Sequence, residues 1–232
     1  MNSHAIIIAT KYSEKCNDII ENITSITENY PDSIPIVIDN KSEDKSYFDK
    51  IKTINQNVII EDINNVNYEV GAYDIGYRKY SNDFQYFTFI QDSFIIKKHI
   101  DILYKIPTNT AIIFEGRQSG WQEHQPSFDW LNSQIDIAES WSKKWDIVHY
   151  NCFSTSRETF LKIIESDTYK SIKKADCKNG SCAWERAWSI LFDRLEISKQ
   201  YLDMPGLVIA DFTIKIDPNI DYTYIKKWRQ RQ

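Results

Sequence analysis

A single carboxylate, Asp92, follows a strongly apolar segment of the chain. Residues 86–90 are all β-branched or aromatic, and Gln91-Asp92-Ser93 comes directly after them. A continuously apolar run predicts a strand that is buried on both faces, and the ligands of open α/β sheets bind at the carboxyl ends of such strands. Asp92 is therefore placed to contact a substrate or a metal ion bound to one. The alternative is an Asx-turn, in which Asp92 only ends the strand.

A second group of polar side chains lies in an aromatic stretch without a clear period, residues 118–132. It contains Trp121, Glu123, Asp129 and Trp130. A long loop of this kind is more often functional than decorative, and tryptophan rings suit partly wet binding sites. All seven tryptophans fall in the second half of the chain. This asymmetry indicates that the two halves do different jobs.

The elements that must position these residues alternate in the first part of the chain. Three short apolar runs predict buried strands, and apolar residues at three and four residue spacing predict the helices between them. Such an alternation predicts a parallel sheet in an α/β fold. The predicted elements are strands 5–9, 36–38 and 58–60, which end at Thr10, Asp39 and Glu61, and helices 16–26 and 47–54.

A helix-length stretch at residues 67–80 precedes the strand that ends at Asp92. It contains Gly71 and Gly76, which let a backbone approach a neighbour closely, and Arg78, whose guanidinium can bind an anionic oxygen pair. The alternative is a helix that packs closely on the sheet and leaves Arg78 in solvent.

The second half of the chain is predicted to contain further strands and helices. Residues 146–153 predict a strand, and Thr155 with Glu158 predicts a capping box that opens the next helix. A helix from about residue 183 to 197 carries Glu185 in its first turn. The other expected elements are a short amphipathic piece at 99–105, a strand at 111–114 that ends at Glu115, a helix at 135–145, and late strands at 207–212 and 222–225.

His149 and Cys152 are the residue types of a thiol nucleophile and its base. They lie three residues apart on the predicted strand, so their side chains are expected on opposite faces. The sequence therefore argues against a catalytic dyad.

Composition excludes several classes of protein. The 232 residues are 42% hydrophobic and 26% charged, which is typical of a globular domain. The net charge of -5 argues against a nucleic-acid partner. The spacing of the four cysteines favours reduced thiols, and no segment has the composition of a signal peptide or a membrane span. We expect a cytoplasmic, soluble protein with one domain, residues 1–232, in which the basic tail at 228–231 is solvated or contacts a membrane surface.

The order of these motifs resembles the GT-A fold nucleotide-diphospho-sugar glycosyltransferases, in particular the family 2 type and its rhamnan-synthesis relatives. The resemblance extends over residues 5–195 in element order. It rests on strands ending at Thr10, Asp39 and Glu61, on the glycine-containing helix with Gly71-Ala72-Tyr73-Asp74-Ile75-Gly76, and on Gln91-Asp92-Ser93 in the place of the family's Asp-X-Asp motif.

The resemblance implies a GT-A, Rossmann-like sheet and a division of labour between the two halves. Residues 1–98 would bind the nucleotide sugar and residues 99–232 the acceptor. Asp39 would hold the nucleobase or ribose, and Asp92 a Mn²⁺ or Mg²⁺ ion shared with the diphosphate. Gln91-Asp92-Ser93 has one carboxylate where the usual motif has two, but such an ion can be held by one carboxylate and waters. The implied donor-binding residues are Thr10, Asp39, Gly71, Asp74, Arg78, Gln91 and Asp92.

Glu185 occupies a place similar to that of the family's general base, near the start of a helix after the acceptor loop. The alternative is an ordinary favourable acid in a first helical turn. Glu123 and Asp129 are the reserve candidates for the base, and Trp121 and Trp130 are candidates for stacking on sugar faces. Trp184 and Trp188, four residues apart, are expected in the core.

The resulting prediction is a glycosyltransferase that moves a hexosyl or deoxyhexosyl group to a hydroxyl of a glycan or lipid-linked acceptor with inversion. Three other classes remain open. They are a non-catalytic carbohydrate- or nucleotide-binding relative, a nucleotidyltransferase, and a protein-interaction module that uses the tryptophan-rich half.

Overall fold

The central feature of the protein is a seven-stranded, mostly parallel sheet with helices on both faces. The computed structural model describes residues 2–13, 18–63, 67–119, 125–136, 145–202, 206–209 and 222–227. The fold is α/β and Rossmann-like, which confirms the fold class expected from the alternating strands and helices.

The strands in chain order are β1 (Asn2–Thr10), β2 (Ser33–Asn40), β3 (Ile59–Ile63), β4 (Phe84–Gln91), β5 (Phe94–Ile96), β6 (Thr110–Ile113), β7 (Gly116–Ser119), β8 (Trp145–Val148), β9 (Phe153–Ser156), β10 (Ser198–Tyr201), β11 (Gly206–Ile209) and β12 (Tyr224–Lys227). The α-helices are α1 (Asp18–Asn29), α2 (Tyr47–Ile54), α3 (Tyr68–Tyr80), α4 (Gln125–Asn132), α5 (Arg157–Glu165), α6 (Asp167–Ser171) and α7 (Lys178–Arg194).

The strand order of the central sheet brings the carboxyl ends of its six parallel strands to one edge. The order is β10-β6-β9-β4-β1-β2-β3, and β9 runs antiparallel to both of its neighbours, β4 and β6. The other pairs in the sheet are parallel. The carboxyl ends of β1, β2, β4 and β6 therefore lie at the same edge, where open α/β sheets bind ligands.

Two smaller sheets adjoin this edge. The first has the order β11-β12-β5, and the second pairs β7 with β8. Two residues, Asp92 and Ser93, separate β4 from β5, and β12 pairs antiparallel with β5 in a register that places Lys226 opposite Phe94. The last described strand of the chain thus returns to the turn that carries Asp92.

Two hydrophobic clusters cover the two faces of the sheet. Helices α3, α5 and α7 contribute to one cluster, and α1 and α2 to the other. Neighbouring residues of β1 alternate between the clusters, since Ile7 belongs to the first and Ile6 and Ile8 to the second. Trp184 and Trp188 are fully buried in the first cluster, as the sequence predicts. Each described helix is too short or too polar to span a bilayer.

Helix α7 begins earlier than predicted. Its first residue is Lys178, and the Sγ atom of Cys177 accepts a hydrogen bond from the backbone N–H of Gly180. The prediction was wrong because cysteine is an uncommon cap and Gly180 lowers helix propensity. Glu185 therefore lies in the third turn, not the first, and a favourable first-turn position does not explain it.

Residues 146–153 were predicted as one strand, and this is wrong. Strand β8 ends at Val148, a 3₁₀ turn covers His149–Asn151, and β9 begins at Phe153 in a different sheet. The chain turns because Tyr150 and Asn151 both adopt left-handed backbone angles, with φ of 59° and 56°.

Other boundaries also differ from the predictions. The stretch 118–132 is not one loop, since β7 extends to Ser119 and α4 covers Gln125–Asn132. Ser156, one residue after the predicted Thr155, caps α5 by accepting a hydrogen bond from the N–H of Thr159. Within the predicted helix at 135–145, residues 137–144 lie outside the described residues. Only Gly206–Ile209 and Tyr224–Lys227 of the late segments are described strands.

His4 is a buried histidine that links three strands. Its Nδ1 lies 2.8 Å from the Ser33 hydroxyl on β2, and its Nε2 lies 2.7 Å from the Thr88 hydroxyl on β4. Burial lowers the pKa of His4 to about 3, with a smaller contribution from His99. The folded protein therefore holds this imidazole neutral at physiological pH.

This burial predicts a pH-dependent loss of stability. The unfolded chain protonates His4 near its ordinary pKa of 6.5, but the folded protein does not. The contribution of His4 to stability is therefore complete above that pH and falls as the pH drops, by up to about 1.4 kcal/mol per unit. In urea unfolding between pH 5 and 7, His4→Gln is expected to flatten the slope of stability against pH.

The exposed residue His99 supplies the matched control, and His99→Gln should leave most of that slope in place. Equal slopes for the wild type and His4→Gln would contradict a neutral buried His4. The comparison uses slopes, so a general loss of stability in the variant does not affect it.

Candidate functional site

Asp92 lies at the shared edge of the sheet, in the turn between β4 and β5. Its Oδ2 accepts hydrogen bonds from the Thr10 hydroxyl at 2.8 Å and from the Lys11 backbone N–H at 3.3 Å. Its own N–H donates to the carbonyl of Ala9, which continues the β1–β4 pairing. Asp92 is 2% exposed. The carboxylate therefore joins the ends of β1 and β4. Thr10 and Gln91, two of the predicted donor-binding residues, lie next to Asp92.

Asn22 of α1 fixes the backbone of this turn. Its Nδ2 donates to the carbonyls of Gln91, Asp92 and Phe94, at 3.4, 3.0 and 2.8 Å. Asn22 is fully buried. One amide group thus satisfies three backbone acceptors that a turn between two strands would otherwise leave unpaired.

Glu69 is the centre of the polar contacts at this edge. It lies in the first turn of α3, and its Oε1 accepts three hydrogen bonds: from Gln91 Nε2 at 3.0 Å, Asn151 Nδ2 at 2.6 Å and Ser181 Oγ at 2.8 Å. These donors belong to β4, the 3₁₀ turn and α7. Glu69 therefore ties the Asp92 region to the second half of the chain.

Helix α7 presents Ser181 and Glu185 to the same side, because residues four apart lie on one helical face. Ser181 donates to Glu69, and Glu185 Oε1 accepts the backbone N–H of Tyr150 at 3.1 Å. Trp184 and Trp188 on the neighbouring face enter the core. The same helix is thus anchored by its aromatic residues and carries a carboxylate to the polar cluster.

Glu185 has the properties of a proton acceptor. Burial raises the pKa of the Glu185 carboxyl, and the nearby His149 and Arg186 offset part of that effect. Within the described part of the chain, its Oε2 accepts no hydrogen bond. A carboxylate with a raised pKa and one uncommitted oxygen suits general-base catalysis.

The turn that faces Glu185 is strained. A left-handed backbone is unusual for a bulky residue such as Tyr150 and costs about 1–3 kcal/mol. Contacts on several sides hold the turn. The N–H of Tyr150 donates to Glu185, Asn151 Nδ2 donates to Glu69, and the Cys152 thiol donates to the Tyr150 carbonyl at 3.3 Å. Such strain is typical of binding and catalytic sites.

Three buried polar atoms near Asp92 and Glu69 lack a hydrogen-bond partner in the described part of the chain. They are Oδ1 of Asn22, Oδ1 of Asn151 and the hydroxyl of Tyr73. Burial raises the pKa of Tyr73, and the charges of Glu69 and Asp92 contribute. Since buried polar atoms are nearly always paired, these three are exceptions that the packing around the cluster leaves unsatisfied.

A second acid–histidine pair borders the cluster. Glu115 follows β6, and its Oε1 lies 3.1 Å from His149 Nδ1 while its Oε2 accepts the Tyr224 hydroxyl at 2.8 Å. The His149 ring stacks on that of Tyr150 with centroids 4.3 Å apart. Glu115 therefore fixes the His149 ring, which stacks on Tyr150 of the strained turn.

Lys226 of β12 brings a positive charge to the residues on both sides of Asp92. Its Nζ donates to Gln91 Oε1 and to Ser93 Oγ, each at 2.6 Å, and lies 5.0 Å from the centre of the Tyr150 ring. Lys226 is 3% exposed. The ammonium group is therefore part of the site and not of the surface.

The oxygens around Asp92 do not fit the predicted Mn²⁺ or Mg²⁺ ion. The side chains of Gln91 and Ser93 already accept hydrogen bonds from the Lys226 ammonium, and Oδ2 of Asp92 accepts two others. Two unit positive charges 4 Å apart repel by about 4 kcal/mol at an effective dielectric constant of 20, and a divalent ion doubles that figure. In the described part of the chain, no group of three or more His, Cys, Asp or Glu side chains is arranged to hold a metal ion.

Asp39 is fully buried and organises the segment after β2. Its Oδ1 accepts the Ser42 N–H at 2.7 Å and pairs with Lys45 Nζ at 3.1 Å, while its Oδ2 accepts the Tyr47 hydroxyl at 2.6 Å. The Tyr47 ring stacks on that of Tyr12, with centroids 4.6 Å apart. Asp39 thus shapes the sheet edge beside Asp92 by positioning its neighbours.

Asp74 and Arg78 of the glycine-containing helix have no described hydrogen bond to this cluster. Asp74 accepts hydrogen bonds from Arg78 Nε at 3.0 Å and from the Tyr169 hydroxyl at 3.2 Å, and the Arg78 side chain is 56% exposed. Arg78 lies nine residues after Glu69, about 13 Å along the helix axis. Gly71 is near the edge, in the first turn of α3. Gly76 packs on the sheet, where an added Cβ would come within 3.1 Å of Ile7.

The predicted acceptor residues are only partly described. Trp121 and Glu123 lie outside the described residues. Asp129 is exposed on α4 and accepts a hydrogen bond from Gln125, and the half-buried ring of Trp130 packs against Gly180 of α7. Neither Asp129 nor Trp130 has a described hydrogen bond to the Glu69 cluster.

The structure also explains why His149 and Cys152 do not form a catalytic dyad. They do not share a strand, but the thiol donates to the Tyr150 carbonyl and His149 contacts Glu115. Burial raises the pKa of the Cys152 thiol to about 12. The thiol is therefore not activated as a nucleophile.

Sequence reasoning missed Glu69, Glu115, Asn151 and Lys226 as site residues. Glu115 carried a usable signal, because it follows a buried strand just as Asp39 and Asp92 do. Glu69 resembles any acid in a first helical turn. Lys226 is separated from Gln91 by 135 residues, and nothing in its local sequence marks it.

In comparisons with known proteins, no family model matches the chain, and no curated protein sequence matches it significantly.

The role of Asn22 can be tested by removing its amide. Asn22→Leu keeps a similar volume but leaves three buried carbonyls without this donor, so we expect it to lower the free energy of unfolding by about 1–3 kcal/mol. Thr24→Val on the same helix removes a hydrogen bond that is internal to α1 and should change stability by less than about 0.5 kcal/mol. Equal, small effects of both variants in urea unfolding would contradict the proposed clamp.

The raised pKa of Glu185 predicts a stabilising substitution. The folded state binds this proton more tightly than the unfolded chain, so stability present at low pH is lost as the pH rises through the raised pKa. Glu185→Gln should therefore have a higher melting temperature than the wild type at pH 8, and the difference should disappear toward pH 4. Glu158→Gln, at an exposed position of α5, is the control. A gain that is the same at both pH values would contradict this interpretation.

Proposed function

We propose that the protein is a glycosyltransferase, which transfers a hexosyl or deoxyhexosyl group from a nucleoside-diphospho-sugar to a hydroxyl of a glycan or lipid-linked acceptor. The observation that carries the proposal is the hydrogen-bonded connection from the Asp92 turn through Gln91 and Glu69 to Ser181, one helical turn before Glu185. It joins a strand-end ligand edge to a carboxylate with a raised pKa.

The donor is proposed to bind at the carboxyl ends of β1, β2 and β4. Asp39 and the stacked Tyr12 and Tyr47 rings border the nucleoside end, and Asp92 with Gln91 borders the diphosphate and sugar end. The sheet edge supports this orientation, because ligands of Rossmann-like folds bind there. Asp74 and Arg78 have no part in it, because they pair with each other at a distance from the edge.

The proposed reaction is a direct displacement. Glu185 accepts the proton of the acceptor hydroxyl while that oxygen forms a bond to the anomeric carbon, and the bond from this carbon to the diphosphate breaks. One displacement inverts the anomeric configuration. The Cys152 thiol is not activated, so covalent catalysis by it is not part of the proposal. A positioned general base contributes about 10²–10⁴-fold to the rate.

The proposed setting follows from the same features. A cytoplasmic site gives access to nucleotide sugars, and Cys152, Cys177 and Cys182 are free thiols. The basic tail at 228–231 is a candidate for contact with a lipid-linked acceptor, but it lies outside the described residues. A nucleic-acid partner is not proposed, because the net charge is -5.

The first test is a thermal-shift panel of UDP, GDP, dTDP and CDP, each with manganese or with EDTA. A nucleotide at one hundred times its dissociation constant stabilises the folded state by about 2.7 kcal/mol, which corresponds to a shift of about 5–10 °C for a domain of this size. Asp92→Ala should weaken the shift, because it removes the carboxylate that holds the end of β1 at the turn before β5. Asp101→Asn, whose side chain is 95% exposed, should retain the shift.

Turnover tests the proposed base. With the matching nucleotide sugar, Glu185→Gln should lower kcat for transfer or donor hydrolysis by about 10²–10⁴-fold and leave nucleotide binding intact. If none of the nucleotides shifts the melting temperature under either condition, the proposed function is wrong. If one binds but neither transfer nor hydrolysis occurs, the protein is the non-catalytic binding relative.

A further inference from the structure

We propose that Lys226 supplies the positive charge that binds the donor diphosphate and stabilises it as it departs, so that the site works without a divalent metal ion. This inference rests on the proposed glycosyltransferase function. It names the residue that takes the role usually assigned to a divalent metal ion.

The contacts of Lys226 place its charge at the Asp92 motif. Its ammonium group donates to the side chains on both sides of Asp92, Gln91 and Ser93, at 2.6 Å each. These are the positions whose oxygens would complete a metal site around Asp92. A lysine ammonium in the same place excludes a cation and attracts an anion.

The backbone fixes Lys226 at this position. Strand β12 pairs with β5 so that Lys226 lies opposite Phe94, and the N–H of Lys227 donates to the carbonyl of Ser93 at 2.9 Å. Adjacent residues of a strand point to opposite faces. Lys227 accordingly points away and pairs with Glu21 at 2.5 Å and with Asp18 at 3.3 Å. The two neighbouring lysines therefore have different roles.

The surroundings of Lys226 keep solvent away from its ammonium group. It is 3% exposed, and the Tyr150 ring covers its Nζ at 5.0 Å. A buried charge is screened less by solvent and salt than an exposed one. Lysine is suited to this task, since an ammonium on a flexible stem can turn its donors toward phosphate oxygens.

The chemistry is balanced without a metal ion. The acceptor oxygen forms the new bond to the anomeric carbon, its proton goes to Glu185, and the nucleoside diphosphate leaves with the electron pair of the broken bond. The added negative charge on the diphosphate develops beside Lys226, where an ammonium stabilises it by a charge-assisted hydrogen bond.

The test compares the binding of a nucleoside diphosphate with that of its nucleoside, in EDTA and in manganese. Titration calorimetry is carried out on the wild type, Lys226→Met and Lys226→Arg. The wild type should bind the diphosphate equally well in EDTA and in manganese. Lys226→Met should lose about 10- to 100-fold in affinity for the diphosphate but little for the nucleoside, and Lys226→Arg should restore part of the loss.

The neighbouring residue provides the matched control. Lys227→Met removes a charge from the same strand and an ion pair with Glu21, so it should lower stability but keep the preference for the diphosphate. A loss of nucleoside and diphosphate binding in equal proportion in Lys226→Met would indicate a purely structural role and overturn the proposal.

The arms of the experiment separate this inference from the proposed function. If a nucleoside diphosphate binds the wild type only with manganese, the glycosyltransferase proposal stands and the role of Lys226 is refuted. If no nucleoside diphosphate binds under either condition, both proposals fail. The wild-type arms alone decide between these outcomes, even if Lys226→Met does not fold.

Discussion

The polar cluster at the sheet edge depends on one carboxylate, Glu69, that has no part in the proposed catalysis. Glu69 Oε1 accepts hydrogen bonds from β4, from the 3₁₀ turn and from α7, so three segments that are far apart in sequence meet at one atom. Glu69 is 6% exposed, and a buried carboxylate is tolerated only when several donors compensate for its lost hydration. The need to satisfy Glu69 in turn fixes the positions of its donors, Gln91, Asn151 and Ser181. The distance between the Asp92 turn and α7 is thus set by the cost of leaving Glu69 unsatisfied.

The same constraint explains why a strained turn persists beside Glu185. A left-handed tyrosine would relax if its neighbours allowed it, but Asn151 is held by Glu69 and the N–H of Tyr150 by Glu185. The core residues Trp184 and Trp188 fix the helix that carries Glu185, so this carboxylate cannot move to a more polar environment. The strained backbone of Tyr150 and the burial of Glu185 lower the stability of the fold, and the aromatic core compensates for this loss. This is the usual relation between a functional site and its scaffold.

The fold could be predicted from the sequence because it depends on local patterns. Apolar runs gave β1, β2 and β4, and helical spacing gave α1 and α2 with small errors at their ends. In the site, Asp39 and Asp92 could be predicted because each lies at the end of a buried strand, and Glu185 was predicted only from the resemblance to a family. The turn at Tyr150 has no glycine to mark it, and residues 146–153 have the composition of a strand. Glu69 and Lys226 acquire their roles from contacts with distant segments, which no local pattern contains.

The pairing of β12 with β5 is a second constraint on the geometry of the polar cluster. The last described strand, β12, completes the polar cluster at Gln91 and Ser93, so this edge of the sheet is complete only when β12 is paired with β5. The side chain of Tyr224 on the same strand reaches Glu115, which positions His149 beside the strained turn. One short strand therefore contributes to both sides of the cluster. A positive charge delivered in this way is tied to the completed fold, whereas a metal ion would have to be recruited from solution.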